Sequence, residues 1–451
     1  MKPNILFLTI DALRADKCHS ENKTSYTPNI DSLISKGVYC KQAIAAADQT
    51  GSSIASIFTS KFPITSGINQ FNFSEEIETM IKYFKKSGYH TCSIVPEHDF
   101  FKSLTKNFDD FEIFNLKEKA SWKRLNDGVG DNIIEKIKSI NKKQPWFFYV
   151  HIMDIRPPFD FSEKFADEKF GDNNYDKLVS EIDVWLGKIF ETVDLEKTLI
   201  VLSADHGENI PVTGEYIGGS SKTQRALRKS TKSVPFLDKI GLKAVMNIRF
   251  ASQTYKKEIL KRKLTPFQMR SFNSRGADTL YDETVNVPLI FSGYNINSNK
   301  IISELVRQID IFPTLLDMAA INFEKENIDG QSIFPLLKEE KIKEIPAYIE
   351  TGINLGLLLN KKPETLGKII GIRTESYKYW RSRNDSKENI HLFNLKNDPN
   401  EENNIAEGNI AIINKMEEQL KKWSESNKTK RKLSDDEIEK AKDLLLKLGY
   451  I

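Results

Sequence analysis

Two short stretches of this chain hold residue types that can do chemistry together. Gln49-Thr50-Gly51-Ser52-Ser53 sets small hydroxyl residues ahead of apolar Ile54, Ile57 and Phe58, the pattern of a tight turn opening a helix. The unpaired N–H groups and the positive dipole end of a helix favour an anion there, which eases phosphate or sulfate binding and partial ionisation of a hydroxyl. Taken alone, the stretch reads first as a helix cap. The second, Asp205-His206, follows the apolar run Leu199–Leu202, so both side chains should emerge at a strand's carboxyl end. A carboxylate beside an imidazole suits a divalent ion such as Mn or Zn. Asp11 leaves the apolar run Ile5–Ile10 in the same way. If the strands bearing Asp11 and Asp205 are neighbours, Asp11, Asp205, His206 and a Thr50 oxygen can surround one metal, which would lower the pKa of the hydroxyl and neutralise charge on a transferred group. The plain alternatives are a turn residue for a lone Asp after a strand and a solvated pair for Asp-His.

These residues need a scaffold, and the chain supplies a repeating one. Continuous apolar runs at Ile5–Ile10, Thr91–Val95, Trp146–Val150, Leu199–Ser203 and Val287–Ser292 have the pattern of strands buried on both faces, and helical or loop stretches such as Ile77–Gly88 and Asp176–Thr192 separate them. That alternation predicts an α/β architecture with a large, mostly parallel sheet flanked by helices. Ligands gather at the carboxyl ends of such strands, and three of the runs are closely followed by Asp11, His151 and Asp205-His206. Ile369–Thr374, Tyr377–Trp380 and His391–Leu395 read as strands of a smaller antiparallel sheet. The expected division is a catalytic domain over 1–345, a small C-terminal sheet subdomain over 346–425, and a linker with a terminal helix over 426–451.

Composition bounds the remaining questions. With 451 residues, 39% hydrophobic and 10% aromatic, the chain is globular and long enough for a large core. The formal net charge of +3 says little about partners, and no nucleic-acid partner is expected. Locally, fifteen Lys and Arg face two acids between Lys222 and Arg275, inside an insertion at about 210–275. That excess points to an anionic partner, a glycan or a lipid-linked phosphoester, with peripheral membrane contact through Val234–Met246 as one reading and a solvated insertion as the other. Cys18, Cys40 and Cys92 form no metal or disulfide pattern, and the apolar run near Met1 is too short for a signal or a span, so a cytoplasmic location is expected.

The ordered segments Asn4–Asp16, Thr27–Asp31, Ser203–Glu208, Tyr281–Leu289, Asp310–Asp317, Asp329–Ser332, Arg373–Tyr379 and Leu392–Pro399 resemble the sulfatase family within the alkaline phosphatase superfamily. The resemblance implies a large mixed α/β domain with a smaller C-terminal sheet, metal ligands at Asp11, Asp205 and His206, and a nucleophile at Thr50, counted back from Thr59. Departures carry equal weight. Sulfatases of this family convert a Cys or Ser to formylglycine within a CxPSR-like sequence. Here Thr50-Gly51-Ser52-Ser53-Ile54 lacks the convertible residue, the proline and the arginine, so no formylglycine is expected.

A threonine nucleophile resembles instead the phosphoethanolamine and phosphoglycerol transferases of the superfamily. This implies a metal-dependent hydrolase or transferase acting on a phosphate mono- or diester. The alternatives are a sulfuric ester hydrolase without formylglycine and a non-catalytic binding protein of the same fold. Ala12 replaces the second Asp of the family's pair, and His206 stands where calcium sulfatases often have Asn. One divalent ion is therefore expected, Mn first and Zn second, with Mg and Ca as alternatives. His151 matches a family histidine and is a candidate proton donor. Arg156 and Arg275 stand where the family has histidines and are candidate anion clamps, because a guanidinium holds phosphate or sulfate through paired hydrogen bonds. Arg14, one turn beyond Asp11, is a further candidate substrate contact.

Overall fold

The run from Asn4 to Ile10 forms strand β1, buried along its whole length. A computed structural model describes residues 2–69, 73–115, 124–157, 159–212, 255, 257–272, 278–296, 299–352 and 368–426. The other strands of the large sheet are β2 (Val38–Ile44), β3 (His90–Pro96), β4 (Asp110–Phe114), β5 (Trp146–Ile152), β6 (Thr198–Ala204), β7 (Asn286–Val287), β8 (Leu289–Gly293) and β9 (Lys300–Arg307). Their order is β4-β3-β5-β1-β6-β8-β2-β7, with β9 pairing β2. Strand β1 lies between β5 and β6, parallel to both. The neighbour relation required to bring Asp11 to Asp205 is therefore present. The sheet is mixed because β8 runs antiparallel to β6 and β2, and β7 antiparallel to β2. The run Val287–Ser292, expected as one strand, is divided at Pro288, which has no N–H to give a ladder.

Register brings the chemistry level. Ile10 pairs with Ile152 on one side and Ala204 on the other, so three strands end together. The Asp11 amide continues the ladder by donating to the Ile152 carbonyl at 2.8 Å. The sheet's apolar side chains are enclosed by helices that include Pro28–Ser35, Thr50–Thr59, Asn174–Phe190 and Ile311–Met318. Each large apolar side chain buried there contributes about 1.5–3 kcal/mol relative to exposure.

The second sheet is antiparallel throughout, with β10 (Ala347–Glu350), β11 (Ile369–Arg373), β12 (Tyr377–Ser382) and β13 (His391–Asn394) in that order. The helix Ile410–Ser426 packs Met416 and Leu420 into the same cluster as Tyr348 and Tyr379. This sheet also touches the segment leading to Thr50. The Glu350 amide donates to Ala46 at 3.0 Å, Asp48 to Glu350 at 3.3 Å, and Gly352 to the Asp48 carboxylate at 2.6 Å. A buried ion network adds to the junction: Lys378 Nζ lies 2.5 Å from Asp282 and 2.7 Å from Glu401, and Arg373 lies 3.3 Å from Asp282.

Among the described residues no helix is long and apolar enough to cross a membrane. The stretch Val234–Met246, most of the basic insertion, Arg275 and the terminal helix expected after Ser434 lie outside the described residues.

Candidate active site

Thr50 is the first residue of the helix Thr50–Thr59, and the preceding Gln49 is extended at φ −137° and ψ 143°. The Gln49 side chain makes no capping hydrogen bond, and the Thr50 hydroxyl points elsewhere. It donates to Asp11 Oδ1 at 3.0 Å and lies 3.3 Å from His206 Nε2. The sequence pattern of a capped helix thus becomes a helix whose first hydroxyl faces the strand ends. Ser52 and Ser53, close in sequence to Thr50, are both buried. Ser53 donates to the Asp205 carbonyl and lies 2.9 Å from the Gln308 amide oxygen, which ties the helix to the end of β6.

Asp205 and His206 follow β6 as a bend whose backbone is held by its own carboxylate. Asp205 Oδ1 accepts from the Ala12 amide at 3.1 Å and from the His206 amide at 2.9 Å. His206 Nδ1 lies 2.8 Å from the Gly207 carbonyl, which can only accept. The Nδ1 proton therefore points there, and a neutral His206 presents a lone pair at Nε2. That nitrogen stands 3.6 Å from Asp11 Oδ1 and 3.3 Å from Asp205 Oδ2. Gly207 is needed for this turn, because a Cβ there would lie 2.0 Å from the Glu283 carbonyl oxygen.

His151 is the penultimate residue of β5 and is fully buried. Its Nδ1 lies 2.8 Å from the Thr9 hydroxyl and 3.1 Å from the Tyr149 hydroxyl. One ligand atom from each of Asp11, His151 and Asp205 lies within 4.8 Å of the others. Two buried carboxylates and two imidazoles therefore converge, a donor set suited to a transition-metal dication. Burial pushes the His151 imidazole down to about 3, with Arg156 and His98 adding to the shift against Asp11. At neutral pH the ring is uncharged, which suits a lone-pair donor better than the proton donor expected from sequence.

Arg156 meets the same carboxylate. Its Nε lies 3.0 Å from Asp11 Oδ2 and its Nη2 3.2 Å from Asp11 Oδ1. Arg14 is directed otherwise: Nε and Nη2 pair with Asp16 at 2.8 and 2.9 Å, and Nη1 donates to the Glu208 carbonyl at 3.2 Å. The structure brings together Asp11, Thr50, His151, Arg156, Asp205 and His206, holds Arg14 on Asp16, and does not describe Arg275.

One residue near this group escaped the sequence reading. His98 caps the helix Asp99–Thr105, its Nδ1 accepting from the Phe100 amide at 3.2 Å. Burial pushes it down to about 4, and Asp11 and Arg156 are among the charges acting on it. The Phe101 ring lies against it and against His151, at 6.2 and 4.7 Å between centroids. The signal available was position: His98 stands two residues beyond the carboxyl end of β3.

Comparison with known proteins points in one direction. The family model described as Sulfatase matches residues 3–321, and one described as N-sulphoglucosamine sulphohydrolase, C-terminal, matches residues 271–426. A protein named Sulfatase from Formosa agariphila is 22% identical over 464 aligned positions, covering 92% of this chain and 85% of its own. Arylsulfatase K of Bos taurus is 29% identical over 149 residues, covering 32% of this chain, and the match spans only 26% of that relative. Among solved structures, Ps i-CgsB in complex with k-i-k-neocarrahexaose has a TM-score of 0.65 at 19% identity, covering 95% of this chain and 94% of its own. The phosphonate monoester hydrolase of Agrobacterium radiobacter has a TM-score of 0.63 at 15% identity, covering 94% and 95%. At these identities the structural likeness shows the fold.

Proposed function

The chain belongs to the sulfatase family, and from that premise we propose that it is a hydrolase or transferase that opens a phosphate mono- or diester by attack of the Thr50 hydroxyl. The observation that carries this reading is the Thr50 hydroxyl itself, at a helix N-terminus, 3.0 Å from Asp11 Oδ1 and 3.3 Å from His206 Nε2. Enzymes of the family bind a divalent metal. The buried donor set described above fits one, and Asp11, Asp205 and His206 would hold it. When bound, such an ion supplies Lewis acidity toward the hydroxyl and the transferred group.

The chain's own residues account for the rest. Asp11 accepts the hydroxyl proton's hydrogen bond and so orients the oxygen, and the helix dipole favours negative charge developing at Thr50. Arg156 holds its guanidinium on the same carboxylate that accepts from Thr50. Ile54 is fully buried in the core and contributes no charge, so Arg156 takes over anion recognition. Threonine offers one hydroxyl and no aldehyde, and a covalent ester on it has to be released by a second attack on the transferred atom, by water or an acceptor. That demand favours phosphorus over sulfur. The fold of the carrageenan-bound neighbour and the basic segment Lys222–Arg275 support an anionic glycan or a similarly charged polymer as the carrier of the ester.

A second reading, cleavage of a sulfate ester without formylglycine, is favoured by the names of the relatives matched in sequence. Parallel assays on an aryl phosphate, a phosphodiester and an aryl sulfate separate the two. Thr50→Ala should lower turnover of the preferred ester by roughly 10⁴-fold or more. Thr50→Ala with unchanged turnover ends the Thr50 reading, and sulfate as the preferred substrate ends the phosphate one.

A further inference from the structure

The large sheet places three polar side chains of β1 and β5 where an all-apolar strand pair would do for stability alone. Thr9 and His151 are register partners across the β1–β5 ladder, and Tyr149 lies two residues before His151 on the same face. All three are fully buried. Thr9 Oγ1 lies 2.9 Å from the Tyr149 hydroxyl and 2.8 Å from His151 Nδ1, and the Tyr149 hydroxyl is 3.1 Å from the same Nδ1. Thr9 also reaches the Val150 carbonyl at 3.5 Å, and with the threonine's proton directed there its oxygen can receive an Nδ1–H. The opposite ring atom, Nε2, is buried without a hydrogen-bond partner among the described residues. It belongs to the ring whose ligand atom falls within 4.8 Å of carboxylate oxygens of Asp11 and Asp205. A buried imidazole nitrogen with no hydrogen-bond partner, on a ring close to two carboxylates, is an arrangement that a divalent cation held between them would satisfy.

We infer that His151 is a metal ligand of this site through Nε2, with Thr9 and Tyr149 as the positioning residues that fix its tautomer and ring orientation. The inference rests on the divalent-metal reading above and adds to it. The ion would then be held by two carboxylates and two imidazoles, whereas Ala12 offers only its backbone amide, already bonded to Asp205. Two imidazoles bias such a site from Ca and Mg toward Mn or Zn.

The test uses the full chain stripped with chelator and reloaded with Mn²⁺, read by calorimetry and by pulsed electron paramagnetic resonance with ¹⁵N-labelled histidine. The expected spectrum shows coupling to two imidazole nitrogens in the wild type and to one in His151→Gln, with Mn²⁺ affinity lowered roughly 100-fold. Thr9→Val and Tyr149→Phe, which leave the ligand in place, should each lower affinity roughly 10-fold and alter the second nitrogen's coupling. A wild-type spectrum with a single imidazole overturns the inference while leaving the metal reading intact, and needs no variant to fold. Coupling and affinity unchanged in His151→Gln also overturn it. If the wild-type chain binds no Mn²⁺, both fall.

Discussion

Thr50 and Arg156 meet on a single oxygen: both donate to Oδ1 of Asp11, at 3.0 and 3.2 Å. Asp11 therefore serves a hydroxyl, a guanidinium and, in the proposed reading, a metal. A cation on this carboxylate opposes the binding of a second one. Arg156→Gln should raise Mn²⁺ affinity roughly tenfold, ~1.4 kcal/mol, while raising KM for an anionic ester. Calorimetry and steady-state kinetics on one preparation check both. A fall in metal affinity would mean that Arg156 orders the site instead of competing for it.

Metal should also appear in the stability of the whole chain, because a ligand bound by the folded state alone stabilises it. At a free Mn²⁺ concentration of about 100 times Kd the gain is about 2.7 kcal/mol, read as a rise in Tm that chelator reverses. Asp205→Asn should abolish the rise. Its persistence would place the bound metal elsewhere.

Asp154 gives a pH dependence with a definite sign. It is buried beside the Leu125 amide, which donates to it at 3.0 Å, and burial pushes its carboxyl from 3.8 up to about 8. The unfolded chain releases this proton near 4 and the folded chain near 8, so the folded state binds more protons in between. Stability should fall as pH rises through that window, by at most roughly 1.4 kcal/mol per pH unit. In urea titrations, Asp154→Asn should remove this component, and its advantage over the wild type should grow from pH 5 to pH 8. Parallel pH profiles for the two proteins would contradict the assignment.

At the junction of the two sheets, Lys378 is fully buried between Asp282 and Glu401. Lys378→Met leaves the buried Glu401 carboxylate without this cation, while Asp282 keeps Arg373, and should cost about 3 kcal/mol, seen as a lower urea midpoint at unchanged slope. An equally stable variant would show that the network contributes little beyond packing.

Much of the scaffold was legible because strands buried on both faces write continuous apolar runs. Asn4–Ile10, Trp146–Ile152 and Thr198–Ala204 are such strands, and they are the three that carry Asp11, His151 and Asp205. Strand β2 was not read, because Lys41 and Gln42 interrupt its apolar pattern where the strand meets solvent. The ion pair of Arg156 with Asp11 joins residues 145 positions apart, and no local spacing records which carboxylate a distant arginine will reach. Arg14 shows the converse: its helical offset from Asp11 allowed a place at the site, but Asp16, two residues on, captures it. The place of His98 was equally hidden, since only the finished sheet shows which loops share an end.

The helix that begins at Thr50 has every residue from Gly51 to Thr59 buried. A helix enclosed on all sides cannot rotate or fray without opening the core around it, so its backbone amides should be among the slowest in the chain to exchange with solvent. Thr50 thus sits at the end of a firmly held element, and in the proposed reading little reorganisation would remain to be done when an ester arrives. On that reading the choice among esters would fall to the charge and shape of the incoming group, and substitutions at position 50 would change the chemistry without asking the surrounding fold to move.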